Sequence, residues 1–154
     1  MAIVAAVLLL SVSSPQAAPS VPPDACGLLS PATIKAAIGV EARPGKAGAS
    51  YFAGNTNCEF TLGSGAVLSV IVTTGPNQPN YFKPRNESDQ RFKNASPLAG
   101  VGDRAYLWPA TANAATVAFL KGTTEVDLRV SNLKTVLSPE QLTALAKASL
   151  AKVP

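Results

Sequence analysis

The chain of 154 residues contains no histidine and few charged residues, and both shortages limit what it can do. Histidine is the commonest general base near neutral pH and the commonest zinc ligand, so the usual catalytic and zinc-binding side chain is missing. Only 14% of the residues are charged and 47% are hydrophobic, which is the balance of a folded chain. The net charge of +4 is spread along the sequence, without the concentrated basic face of a nucleic-acid-binding protein. We therefore expect one folded domain with no metal, no cofactor and no nucleic-acid partner.

The first residues have the composition of an export signal. Residues 2–10 form an apolar run that is too short to span a bilayer, and a stretch rich in Pro, Ala and Ser follows it. A positively charged n-region is missing, so the signal is atypical or truncated. We predict a signal peptide over residues 1–18, a linker over residues 19–25 and a single domain over residues 26–154. The alternative is that the apolar run is a buried strand or helix of the fold.

The two cysteines, Cys26 and Cys58, are predicted to form a disulfide bond. Export would place both in an oxidising compartment, where two thiols usually pair, and the alternative is two reduced, buried cysteines. Pro23 stands where a lipoprotein signal has leucine, so Cys26 is expected to carry no lipid. We expect a secreted or envelope-associated protein that is monomeric and has no membrane span after signal cleavage.

Two helices begin with the same signal, a leucine followed by a serine and a proline, at residues 29–31 and 137–139. A serine can cap the free N–H groups of a helix, and a proline fits its first position. The first helix is predicted over residues 31–38, with Gly39 ending it. The last helix is predicted to continue towards the C-terminus with an apolar face.

Alternating apolar and polar residues predict about five strands. Their approximate positions are residues 58–62, 66–73, 104–108, 117–120 and 124–130. A short strand near residues 51–52 and an irregular helix over residues 80–93 are weaker predictions. Hairpin connections imply a mainly antiparallel sheet packed with N- and C-terminal helices, which is an α+β fold.

Three sequence segments, taken together, resemble a known group of proteins. They are DACGLLSPATIKAAIG from Asp24, NCEF from Asn57 and AGVGDRAYLW from Ala99. The pattern is similar to small bacterial exported proteins and lipoproteins with domains of unknown function, in which a Cys-x-Leu-Leu-(Ser/Thr)-Pro helix is tied to a cysteine at the first strand. Some of these domains resemble the PsbP-like α/β sandwich. The resemblance implies this fold and export, and it carries no catalytic residues to transfer.

The candidate binding residues are aromatic and basic side chains in or beside long irregular segments. They are Tyr106, Trp108, Lys83, Arg85 and Arg91. Loops tend to carry function and aromatic rings anchor interfaces, so segments 40–56 and 75–100 are expected to contribute to a binding surface. The alternative is that Trp108 is a core residue and that the basic side chains lie on a solvated surface.

An enzyme that uses only carboxylates is the alternative function. Its candidates are Asp103, Glu59, Glu125 and Asp127, and it needs two of them in one cleft, one with a raised pKa. The simpler interpretation is that Asp103 caps a turn, while Glu125, Asp127 and Arg129 form a solvated sheet face opposite the core.

Among these alternatives, the sequence favours a non-catalytic envelope protein that binds a partner protein or a small ligand. This interpretation depends on the predicted export, the predicted disulfide and the lack of the usual catalytic groups. A purely structural surface protein, which would have no apolar pocket, is the third interpretation.

Overall fold

The computed structural model describes residues 21–50, 52–63, 65–84, 89–111 and 113–154. The predicted signal peptide over residues 1–18 and the candidate binding residue Arg85 lie outside these ranges. Within the described ranges, no helix has the length and apolar character needed to cross a membrane.

One antiparallel sheet of seven strands forms the centre of the protein, in the order β1-β2-β3-β7-β6-β5-β4. The strands are β1 (Lys46–Ala47), β2 (Asn55–Thr61), β3 (Val67–Thr74), β4 (Ser96–Pro97), β5 (Arg104–Trp108), β6 (Ala114–Lys121) and β7 (Thr124–Ser131). The α+β class with an antiparallel sheet is confirmed, whereas the PsbP-like sandwich stays a prediction.

The expectation of about five strands was wrong because it missed β1 and β4. Both are two-residue strands at the edges of the sheet, too short to show an alternation of apolar and polar residues. β4 also contains a proline, which a sheet tolerates mainly at an edge because proline has no N–H to donate.

The two predicted helices begin and end close to where the sequence places them. The helical elements are α1 (Pro31–Ile38), α2 (Gln78–Tyr81), α3 (Pro139–Leu150) and 3-10 turns at Ala25–Gly27 and Gln90–Phe92. Ser30 caps α1, Gly39 ends it with a φ of 75°, and Ser138 and Gln141 form a capping box on α3. The irregular helix expected over residues 80–93 is replaced by α2 and the second 3-10 turn.

The main core lies between α1, α3 and one face of the sheet, which we call the inner face. Leu128, in the middle of β7, is fully buried there, and the neighbouring inward side chains Val126 and Val130 share this core with Leu142 and Leu145 of α3. The apolar side of β7 and the apolar face of α3 thus pack into the same core. The inner face is therefore dry and apolar.

A disulfide joins Cys26, in the first 3-10 turn, to Cys58 on β2, as predicted. Packing already begins at Ala25, which is fully buried, so the end of the predicted linker belongs to the fold. Upstream of it, the Thr56 hydroxyl donates a hydrogen bond of 2.7 Å to the carbonyl of Pro23. The disulfide points to a compartment outside the reducing cytoplasm.

Side chains on the other face of the sheet, the outer face, align in three rows across β2, β3, β7, β6 and β5. The first row is Asn55, Thr73, Glu125, Leu120 and Arg104. The second is Asn57, Ile71, Asp127, Ala118 and Tyr106. The third is Glu59, Ser69, Arg129, Thr116 and Trp108. No helix as long as α1 or α3 covers this face within the described residues.

Candidate binding groove

A groove of about 580 Å³ lies on the outer face, where strands β2, β3 and β7 meet residues 78–81 and 89–91. Its floor is made by the strands and includes Ile71, Glu125 and Asp127. Since side chains alternate between the two faces of a strand, Glu125 and Asp127 reach the same side, and the pairing of β3 with β7 places Ile71 opposite Asp127. Strand register therefore brings together one apolar and two acidic side chains.

The wall of the groove is held by an aromatic cluster over β5 and β6, which we call the aromatic cap. Phe82 is fully buried in this cap, and its ring lies 6.0 Å from Phe92 and 5.5 Å from Tyr106, both edge-on. Trp108 stacks on Phe92 at 6.1 Å. Through Phe82 and Phe92 the cap anchors residues 78–82 and 89–92 on the sheet, and so fixes the position of the groove wall.

Arg91 connects the aromatic cap to the groove. Its guanidinium forms an ion pair with Glu125, donates a hydrogen bond of 3.2 Å to the Tyr81 carbonyl, and lies 5.5 Å and 5.4 Å from the ring centres of Phe82 and Phe92. The Arg91 carbonyl accepts a hydrogen bond of 3.2 Å from the indole N–H of Trp108. Arg91 is thus held on both its backbone and its side chain.

Glu125 is buried, which corrects the expectation of a solvated carboxylate. Only 3% of its side chain is exposed, because α2 and Arg91 cover it. Gln78 Nε2 donates to one carboxylate oxygen at 3.2 Å, and Arg91 pairs with the other. A buried carboxylate with both oxygens engaged has little freedom to act in proton transfer or nucleophilic attack.

Asp127 is also not the freely solvated residue that was expected. It is partly buried on the groove floor, and in the described part of the chain it makes no hydrogen bond and no ion pair. Burial raises the pKa of the Asp127 carboxyl above its ordinary value of 3.8, and the nearby charges of Arg91 and Arg129 oppose this rise. Asp127 is therefore the acidic group of the groove with unused hydrogen-bonding capacity. Of the predicted solvated face, Arg129 alone is exposed.

A smaller depression of about 290 Å³ adjoins the groove. Asp127 and Arg91 line both spaces and so lie on the boundary between them, while Trp108 and Arg129 belong to the smaller one. The floor of the outer face is thus concave on both sides of Asp127.

The predicted binding residues are only partly brought together. Arg91 lines the groove, Trp108 lines the smaller depression, and Tyr106 is a half-buried member of the aromatic cap. Lys83 is exposed and is not part of the groove lining. Arg85 lies outside the described residues.

The four carboxylates named for an enzyme fall into two groups. Glu125 and Asp127 share the groove, whereas Glu59 is exposed on β2 away from it. The Asp103 carboxylate accepts a hydrogen bond of 2.6 Å from the backbone N–H of Gly122, in the turn between β6 and β7. Asp103 therefore holds a turn, as expected, although the turn is that of the neighbouring hairpin.

Two exposed aromatic side chains at the groove rim were not singled out from the sequence. Phe52 is 57% exposed and Tyr81 is 53% exposed, and both line the groove. The segments 40–56 and 75–100, which contain them, are those expected to contribute to a binding surface. Sequence signals for the individual residues were weak because neither ring lies in a strand whose alternation could assign it to a face.

The groove has the features of a binding site rather than of a metal centre. Within the described residues, no group of three His, Cys, Asp or Glu side chains is arranged to hold a metal ion. The chain as a whole matches no protein-family model, no curated protein and no solved structure.

Proposed function

We propose that this chain is an exported, non-catalytic binding protein of the cell envelope and that its groove takes a small ligand. The observation that carries the proposal is the groove itself, which combines exposed aromatic rings, the apolar side chain of Ile71 and a partly buried carboxylate with no hydrogen-bond or ion-pair partner among the described residues. A volume of about 580 Å³ is within the usual range for small-molecule sites. The purely structural interpretation predicted that such a pocket would be missing.

The rigidity of the scaffold supports binding by a largely preformed site. The groove floor lies on β3 and β7, which pair along eight residues in the middle of the sheet. Its wall is fixed by the aromatic cap and by Arg91. A preformed site loses less conformational entropy when a ligand binds, which favours affinity.

Export is proposed from the apolar N-terminal run, and the Cys26–Cys58 disulfide supports it. An intact disulfide is stable in the oxidising compartments outside the cytoplasm.

A carboxylate-only hydrolase is the second candidate, because Glu125 and Asp127 line one groove and the pKa of Asp127 is raised. The contacts of Glu125 argue against it. Gln78 and Arg91 occupy both of its oxygens, which leaves Asp127 without a free carboxylate partner in the groove floor. We therefore propose binding without turnover.

Screening a fragment library by NMR tests the proposed function. The library contains neutral, cationic and anionic aromatic compounds, and binding is followed through the backbone amides of the ¹⁵N-labelled domain. We expect binders to shift the amide signals of Ile71, Tyr81 and Asp127 and to be recovered chemically unchanged. Hydrolysis of a bound ester or glycoside would instead favour the enzyme.

Two tryptophan variants locate the binding. Ile71→Trp fills the groove floor and should abolish the shifts, whereas Ser69→Trp, on the same strand and face but outside the groove lining, should preserve them. The proposal fails if no compound shifts the groove signals, or if Ile71→Trp binds as well as the wild-type protein.

A further inference from the structure

We propose that the ligand of the groove is an organic cation, an ammonium group on an apolar or aromatic body, with the ammonium at Asp127 and the body between Phe52 and Tyr81 over Ile71. This inference rests on the proposed function and adds the chemical class of the ligand. It depends on the charge of the groove, on its hydrogen-bonding groups and on the position of its aromatic rings.

Charge is distributed unevenly between the groove and the rest of the protein. The chain has 13 basic and nine acidic residues, yet the groove is lined by three carboxylates, Asp89, Glu125 and Asp127, and by one basic side chain, Arg91. Since Arg91 is paired with Glu125, its charge is already compensated. The Asp127 carboxylate then remains on the groove floor as an acidic group that favours a cationic ligand by electrostatic complementarity, although the neighbouring Arg129 reduces this effect.

Hydrogen bonding in the groove leads to the same ligand class. The amide nitrogens of the lining are already donating, Asn55 to the Val72 carbonyl at 3.3 Å and Gln78 to Glu125 at 3.2 Å. Arg91 donates to Glu125 and to the Tyr81 carbonyl. The Asp127 carboxylate, in contrast, accepts no hydrogen bond from the described residues. The ligand must therefore supply donors, as an ammonium group does.

The aromatic rings give the ligand an apolar body. Phe52 and Tyr81 are large, exposed rings on two different segments of the rim, and Ile71 lies on the floor beside Asp127. An aromatic ring also attracts a cation through its π-electrons, so these rings can contact the ammonium group of the ligand as well as its apolar body. A simple inorganic cation would leave this apolar surface unused.

The pH dependence of binding follows from the groups that face Asp127. Glu125 and Arg129 lie on its own strand, and Asp89 and Arg91 come from the segment above it, while the side chains of Ile71 and Ala118 on the adjacent strands are uncharged. Burial raises the pKa of Asp127, so the carboxyl is ionised only above that raised value. Affinity for an ammonium ligand should therefore increase as the pH rises through it.

Three matched probes test the ligand class: tryptamine, which is cationic, tryptophol, which is neutral, and indole-3-propionate, which is anionic. They share the indole body and differ in the terminal group. We expect tryptamine to bind at least tenfold more tightly than tryptophol and indole-3-propionate to bind most weakly, with dissociation constants measured by NMR titration. Asp127→Asn should weaken tryptamine binding at least tenfold and leave tryptophol binding unchanged.

Glu59→Gln is the matched control, because it removes a carboxylate from the same face at an exposed position outside the groove. It should leave the tryptamine affinity within twofold of the wild-type value.

Binding of tryptophol or indole-3-propionate that equals or exceeds that of tryptamine, and is lost in Ile71→Trp, would overturn the cation inference and leave the proposed function intact. Tryptamine binding that persists in Ile71→Trp, or an absence of tryptamine binding, would overturn the inference as well. The proposed function is overturned separately, by a fragment screen in which no compound shifts the groove signals or in which Ile71→Trp binds the compounds as well as the wild-type protein does.

Discussion

The two faces of the sheet are built from the same strands and differ in what covers them. The inner face is closed by α1 and α3 over an apolar core, in which Leu128 is fully buried. Among the described residues, the outer face is covered over β5 and β6 by the aromatic cap and over Glu125 by α2 and Arg91, and it is concave over Ile71 and Asp127. Asp127, the residue just before Leu128 on β7, lies instead on the floor of the groove. Stability and binding can therefore be altered separately on one strand.

Truncation of the inner face should have the largest effect on stability. Leu128→Ala leaves a cavity in the main core and should lower the free energy of unfolding by about 2–5 kcal/mol. Arg129→Ala, the next residue but exposed on the outer face, should change it by less than about 0.5 kcal/mol. Urea unfolding of both variants, with the disulfide intact, measures the difference. Equal effects would mean that the two faces do not differ energetically as described.

Removal of Arg91 should have an intermediate effect on stability, because it leaves the buried carboxylate of Glu125 without its ion-pair partner. We expect Arg91→Met to lose about 2 kcal/mol at neutral pH, less than a fully buried ion pair, since Arg91 is 39% exposed and water can reach the site. The double variant Arg91→Met, Glu125→Gln should recover most of this loss at pH 7, as measured by urea unfolding. No recovery in the double variant would show that Arg91 acts mainly through its ring contacts.

The smallest effect is expected for the unpartnered carboxylate on the groove floor. Because the pKa of Asp127 is raised in the folded protein, the native state binds its proton more tightly than the unfolded chain does. This contribution to stability is present below the ordinary pKa of 3.8 and is lost as the pH rises through the raised value. Asp127→Asn should therefore be slightly more stable than the wild type at pH 7 and equal to it near pH 3, as read from urea midpoints. A less stable variant at pH 7 would contradict the raised pKa.

The sequence predicts the local elements of the fold better than it predicts the groove. Serine caps and the spacing of apolar residues define α1 and α3, and alternation defines the longer strands, because these signals lie within a few residues of one another. The groove depends on the pairing of Ile71 with Asp127, which are far apart in the chain. Alternation assigns Glu125 to the outer face but says nothing about what covers it, so its burial under α2 and Arg91 could not be foreseen.

The pairing of β3 with β7 has a consequence for how the chain must be made. One edge of β3 pairs with β2, which directly precedes it in the chain, whereas the other edge pairs with β7, which begins about 50 residues after β3 ends. A nascent chain that stops before Thr124 exposes that edge along a β-branched apolar strand, which is a template for aggregation. The two middle strands of the sheet, β3 and β7, can therefore pair only when nearly the whole chain is present.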